Sequence, residues 1–117
     1  MLLTMMKSKL HRATVTDADL NYEGSISIDP ALCDQAKLLQ YEQVDIYNIN
    51  NGARFTTYVI YGKPGEICLN GAAARHVQKE DKVIIVSYAG YSQEEAVGHK
   101  PIALMLDDQN KVKRESY

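Results

Sequence analysis

The sequence predicts a mainly β domain, a small barrel of short strands with a few brief helices. Three observations carry this. Short apolar or alternating segments recur between turn signals along the chain, and only brief helical patterns interrupt them. The segment VDIYNINNGARFTTYVIY centres on Asn51-Gly52, a strong hairpin dipeptide, between β-branched and aromatic residues. The length of 117 residues suits one domain with one core, 1–117.

The elements follow in order. Thr4 to Val15 reads as the first strand, with Lys7, Lys9 and His11 sharing parity and so one side. Asp29-Pro30 starts a short helix, Asp29 as cap and Pro30 in its first position. Leu32, Ala36 and Leu39 form its apolar stripe. A two-residue type I′ turn at Asn51-Gly52 pairs Val44 to Asn50 with Ala53 to Tyr61. Strand alternation then puts Arg54, Thr56 and Tyr58 on one face and Phe55, Thr57 and Val59 on the other.

EICLNG is a strand ending in a turn, and GAAARHV opens a helical turn with Asn70 as cap. DKVIIVSYA is the most continuously apolar strand and is expected at the sheet centre. Ser92 and Glu95 have capping-box spacing, and Gly98 closes that short helix. PIALML is a late strand, and DDQNKVKRESY a polar turn and tail, frayed at its end.

Composition excludes several classes. A net charge of −2 gives no general attraction to nucleic acid or anionic lipid. No apolar run approaches the roughly 18 residues of a membrane span. The N-terminal segment is apolar first and basic afterwards, the reverse of a secretory signal, which predicts a cytoplasmic protein. Cys33 and Cys68 read as free, partly buried thiols. His11, His76 and His99 are scattered without ligand spacing, so no metal site is expected.

Gly-rich phosphate loops, nucleophile elbows and zinc-hydrolase motifs are missing from the sequence. The spacing of Ser25, His11 and Asp29 gives no support to a triad. Read locally, Gly24-Ser25 in LNYEGSISID is a turn. It also has the residue types for chemistry of the chain on itself. A serine hydroxyl can attack the carbonyl before it, and glycine leaves that carbonyl unshielded while tolerating strained geometry. Such an attack needs a hydrogen-bond donor for the oxyanion.

Three segments in order carry a further signal: KLHRATVTDADLNYEGSISID at 9–29, NNGARFTTYVI at 50–60 and NGAAA at 70–74. With them the chain resembles the pyruvoyl-dependent aspartate 1-decarboxylases over nearly its whole length. The resemblance implies a double-psi β-barrel and a cytoplasmic homotetramer with intersubunit active sites. It implies a proenzyme that cuts itself between Gly24 and Ser25, leaving Ser25 as a pyruvoyl cofactor. That group forms a Schiff base with L-aspartate and serves as electron sink for loss of the α-carboxylate. The product, β-alanine, feeds pantothenate and coenzyme A synthesis.

Residue roles follow from the same resemblance. Arg54, a planar fork, is expected to hold the carboxylate that aspartate keeps, with Lys9 adding positive charge. Tyr58 matches the proton donor, and Thr57 the residue that supports self-cleavage and borders the substrate. His11 and Tyr22 match pocket residues. Asn70, Ala72 and Ala73 match the turn that holds the substrate and pyruvoyl region. Two points stay open: whether maturation needs an accessory protein, and how Thr57 serves one site with Arg54 and Tyr58 from the opposite strand face. A bulge or a neighbouring subunit would resolve the second.

Overall fold

The computed structural model describes residues 1–115. Among them, nine strands form one hydrogen-bonded order, β2-β6-β3-β5-β4-β7-β1-β8-β9. These are β1 (Leu2–Thr14), β2 (Asp17–Asp19), β3 (Ser25–Ile28), β4 (Gln43–Asn48), β5 (Arg54–Tyr61), β6 (Ile67–Asn70), β7 (Lys82–Ser92), β8 (Ile102–Leu106) and β9 (Val112–Glu115). Helices α1 (Pro30–Ala36) and α2 (Gln93–Ala96) and a 3-10 helix at Gly71–His76 fill the connections. The pairing is mixed. β1/β8, β2/β6 and β3/β5 are parallel, and the remaining pairs antiparallel. The mainly β, barrel-like architecture agrees with the sequence expectation. Among the described residues no helix is long and apolar enough to cross a membrane.

The core is where alternation predicts it. Leu10, Ile26, Ile46, Ile67, Ile85 and Leu104, one from each of six strands, are fully buried. Each such side chain contributes about 1.5–3 kcal/mol relative to exposure. β7 lies inside the order between β4 and β1, as its apolar run predicts. Asp29 caps α1 by accepting from Ala31 N at 2.9 Å, with Pro30 at the start. The capping box of α2 is complete: Ser92 Oγ accepts from Glu95 N, and Glu95 Oε1 accepts from Ser92 N.

Four expectations change. The apolar stripe of α1 is Leu32, Cys33 and Ala36, and Leu39 is exposed. The helix ends at Lys37 in a left-handed conformation (φ 57°), so the helical period stops and Leu38 turns inward instead. The hairpin is not a two-residue type I′ turn. Only Gly52 has positive φ, whereas that turn needs it at both central residues. Asn48 Oδ1 accepts from Asn50 N, and Asn51 Oδ1 from Ala53 N, closing a wider loop with side chains. Tyr47 therefore pairs with Arg54, where the tighter turn would pair it with Thr56. The slide is two residues, an even number, so every side chain keeps its face.

The C-terminal segment is not all tail, because Val112–Glu115 adds β9 to the edge of β8. The turn before it is anchored by Asn110, whose buried carboxamide accepts from Thr14 N (2.7 Å) and donates to Thr14 O (2.9 Å). The expected fraying at 116–117 lies outside the described residues. Finally, Asn70 occupies the cap position of the 3-10 helix but makes no side-chain cap bond. Its carboxamide is committed to Ser25 and Ser27 instead.

Candidate active site

Ser25 opens β3 and is 1% exposed. β3 lies between β5 and β6, and the antiparallel register sets Ser25 opposite Asn70. Ile26, Ile28, Ile67 and Leu69 take the core face of these two strands. Ser25, Ser27, Cys68 and Asn70 take the other. Asn70 Nδ2 donates to Ser25 Oγ at 3.0 Å, and Ser25 Oγ itself donates to the Glu23 carbonyl at 3.1 Å. The hydroxyl is thus held beside the Gly24 peptide with its proton directed backwards along the chain.

Gly24 does not show the strain expected of it. Its φ is not positive, and a Cβ there would meet nothing within 4 Å. What this glycine supplies is an unshielded carbonyl. The constrained glycine is Gly71, at φ 63°. A Cβ on Gly71 would lie 2.6 Å from Gly24 N, 2.7 Å from Gly24 Cα and 2.8 Å from Tyr22 O. The chain crosses itself here, backbone on backbone. Gly71→Ala is therefore expected to displace residues 22–24. Left-handed strain costs an alanine about 1 kcal/mol or more. Cleavage before residue 25, followed by denaturing electrophoresis, is expected to slow by more than the change in thermal stability accounts for.

A cavity of about 310 Å³ opens beside Gly24, walled by Thr57, Tyr58, Ala72 and Ala73 with Phe55 and His76. Phe55 stacks on His76 at 4.8 Å and closes one side. The structure thus brings together Gly24, Ser25, Thr57, Tyr58, Asn70, Ala72 and Ala73. Tyr22, largely exposed, borders an adjoining cavity of about 420 Å³ that also touches Ser27, Cys68 and Asn70.

Tyr58 is set by the loop before β4. Tyr41 N donates to Val59 O, and Val59 N donates to Glu42 O, which brings the Tyr41 ring to 6.4 Å from that of Tyr58. Glu42 holds the loop. Its carboxylate accepts from Leu39 N (3.0 Å), Lys7 Nζ (2.7 Å) and Ser87 Oγ. Burial would raise its pKa, but the bonds from Lys7 and Ser87 leave it below the ordinary value.

Arg54, Lys9 and His11 are not walls of the Gly24 cavity. The Arg54 guanidinium lies 3.8 Å over the Tyr47 ring on the other face of the hairpin. Tyr47 is hydrogen-bonded to Tyr88 (2.9 Å) and donates to Asp45 (3.3 Å). Lys9 and His11 are on β1, separated from β3 by β5, β4 and β7. The strand is irregular there, with register shifts at Met6/Ser8 and Leu10/Ala13 and Arg12 at φ 62°. His11 is half-buried with Nδ1 unpartnered. Burial first, then Lys9, Arg12, Arg114 and Lys113, lowers its pKa and favours the neutral ring. β5 pairs with β4 without a register shift, so no bulge brings Thr57 to the face of Arg54.

Sequence reasoning passed over Ser27, Cys68 and Gly71. The first two carried a readable signal: Ser25-x-Ser27 and Cys68-x-Asn70 share the period of two that places polar residues on one strand face. Gly71 carried none, because its constraint comes from a chain crossing.

The model of the aspartate decarboxylase family matches residues 1–113. The chain is similar to aspartate 1-decarboxylase of Bdellovibrio bacteriovorus, 63% identical over 94% of this chain and 89% of that one. It is also similar to that of Syntrophus aciditrophicus, 64% identical over 93% and 96%. The Clostridium acetobutylicum protein is 58% identical over 94% and 88%. The family match over residues 1–113, with relatives 58–64% identical over more than nine-tenths of the chain, shows that the chain belongs to the aspartate decarboxylase family.

Proposed function

We propose that the chain is made in one piece, cuts itself between Gly24 and Ser25, and then converts L-aspartate to β-alanine and carbon dioxide for pantothenate synthesis. The observation that carries this is the buried Ser25 hydroxyl, held by Asn70 beside the unshielded Gly24 carbonyl. Ser25 Oγ attacks the Gly24 carbonyl carbon. The C–N bond breaks and its nitrogen takes the hydroxyl proton, giving an ester and a free amine. Loss of the Ser25 Cα proton then breaks the Cβ–Oγ bond and frees the Gly24 carboxylate. One water replaces the nitrogen, which leaves as ammonia, and residue 25 ends as a pyruvoyl group. In this reading Thr57, which lines the same cavity as Gly24, donates to the oxyanion of the first step.

The surroundings suit such a group. Position 25 is buried, Asn70 offers an N–H there, and Gly24, Ala72 and Ala73 leave open space. Once present, its carbonyl supplies the electron sink that aspartate lacks. The remaining work belongs to side chains. Arg54 makes no ion pair among the described residues, so its N–H edge can receive the carboxylate that aspartate retains. Lys9 and neutral His11 border that carboxylate, and Tyr22 flanks the entrance. The Tyr58 hydroxyl donates a proton to the carbon that has lost carbon dioxide.

These residues do not all meet in one chain: Ser25, Thr57, Tyr58 and Asn70 lie on β3, β5 and β6, Lys9 and His11 lie on β1 with three strands between it and β3, and Arg54 is stacked over Tyr47. This separation supports an active site completed by a second copy, within a homotetramer. The test is incubation of the purified protein with intact-mass analysis over time. Fragments 1–24 and 25–117 should appear, the larger with a pyruvoyl end that borohydride reduces. An uncut chain that nevertheless makes β-alanine would overturn the reading.

A further inference from the structure

Four side chains form a buried polar square on β3 and β6: Ser25 opposite Asn70, and Ser27 opposite Cys68. Asn70 Nδ2 donates to Ser25 Oγ and to Ser27 Oγ, both at 3.0 Å, using its two protons. Asn70 Oδ1 accepts from Cys68 Sγ at 3.3 Å. Turning a carboxamide by half a revolution keeps its shape and exchanges donor for acceptor. Ser27 cannot prevent this, because a hydroxyl gives or takes a hydrogen bond equally well, and Ser25 opposes it only while its proton stays on the Glu23 carbonyl. Cys68 can. Its thiol is a weak donor and a weak acceptor, and here its proton is directed at Asn70 Oδ1. It stays protonated, because burial, followed by Glu66, Asp17 and Asp19, raises its pKa to about 11. Its other contacts are Leu69 O at 3.9 Å, which is longer, and the Asp19 backbone N–H, which uses the sulfur as acceptor and leaves the S–H for Asn70. Cys68 is therefore the member of the square that distinguishes the carboxamide oxygen from the nitrogen.

We propose that Cys68 is a positioning residue that locks the Asn70 carboxamide with its N–H on Ser25 Oγ, and so promotes the bond-breaking step of maturation. This rests on the self-cleavage reading above. After the acyl shift, Oγ is the alkoxy oxygen of the ester. Removal of the Ser25 Cα proton forms the Cα=Cβ bond, and the Cβ–Oγ electron pair moves onto Oγ. That oxygen leaves as part of the Gly24 carboxylate. An N–H on Oγ stabilises the charge gathering there, and a reversed carboxamide would set an acceptor against it. The first step gains nothing from this bond, since a donor on the attacking lone pair restrains it. A freed Asn70 should slow elimination and leave ester formation untouched.

The test follows maturation of the wild type, Cys68→Ala and Cys68→Ser by intact mass, with and without hydroxylamine. Hydroxylamine splits only the ester and releases a fragment that still begins with serine. The matured fragment is lighter by one ammonia. In Cys68→Ala the ester should accumulate and the pyruvoyl fragment should form about tenfold more slowly, the effect of one misdirected buried hydrogen bond. Cys68→Ser restores an O–H donor and should return to the wild-type course. Both variants remove the bulk of the sulfur, so equal slowing in both would assign the effect to packing and overturn the proposal. So would wild-type maturation in Cys68→Ala. Should that variant fail to fold, Cys68→Val, which fills the thiol's space without a donor, provides the test. It should show the same ester accumulation, and unchanged maturation there overturns the proposal. A wild type that never cuts removes the self-cleavage reading itself, an outcome distinct from a wild type that matures alongside an indifferent Cys68→Ala.

Discussion

Ser25→Ala is expected to fold, remain in one piece and make no β-alanine. The backbone argument for folding is direct. Residue 25 enters β3 through main-chain pairing with Asn70, and Ile26 continues the ladder against Val59 and Leu69. None of this involves the hydroxyl. Loss of Oγ removes one acceptor from Asn70, which keeps its bond to Ser27, and one donor from the Glu23 carbonyl. That costs about 1–3 kcal/mol, against a total of about 5–15 kcal/mol for an ordinary domain. The chemistry, by contrast, loses its nucleophile and the atom from which the cofactor is made. Thermal unfolding, intact mass and a β-alanine assay on the same preparation separate the two effects. Wild-type β-alanine production by this variant would refute the assignment of the cofactor to position 25.

The sequence made the barrel legible because alternation and apolar runs report burial directly, and burial is what fixes β7 at the centre and Ile26, Ile46 and Ile85 inside. Caps were legible for the same local reason: Asp29-Pro30 and Ser92…Glu95 satisfy backbone groups within a few residues. Errors arose where a distant partner decides. The hairpin loop is shaped by the Asn48 side chain, which also donates to His76 O and Asp81, 28 and 33 residues away. Asn70 left its cap role because β3 presents two serines to it. β9 forms because Asn110 reaches back 96 residues to Thr14.

The candidate site divides in the same manner. Its residue types came from the resemblance of three segments. That Lys9 and His11 stand apart from Ser25 could not be read from spacing, since it depends on how β1 and β3 are ordered in the sheet. The strain assigned to Gly24 belongs to Gly71, whose sequence context, Asn-Gly-Ala, looks like an ordinary turn.

Tyr58→Phe and Thr57→Val should fail at different stages, although the residues are adjacent. They point to opposite sides of β5, whose pairing with β4 is regular. Tyr58→Phe keeps the ring beside Tyr41 and deletes one hydroxyl. The chain should still cut, and decarboxylation by the cut enzyme should slow by roughly 10²–10⁴, the usual contribution of a positioned proton donor. Thr57→Val keeps the β-branched shape and removes the hydroxyl of a residue that lines the Gly24 cavity. Cutting should slow by about 10²–10³, the usual loss for one oxyanion donor. The crossed measurement, cleavage half-time against turnover per cut chain, is decisive because each variant supplies the control for the other. An uncut Tyr58→Phe together with normal cutting in Thr57→Val would reverse the assigned roles. It would place the tyrosine hydroxyl, and not the threonine, at the Gly24 carbonyl, which requires Tyr58 to turn into the cavity that its ring now only borders.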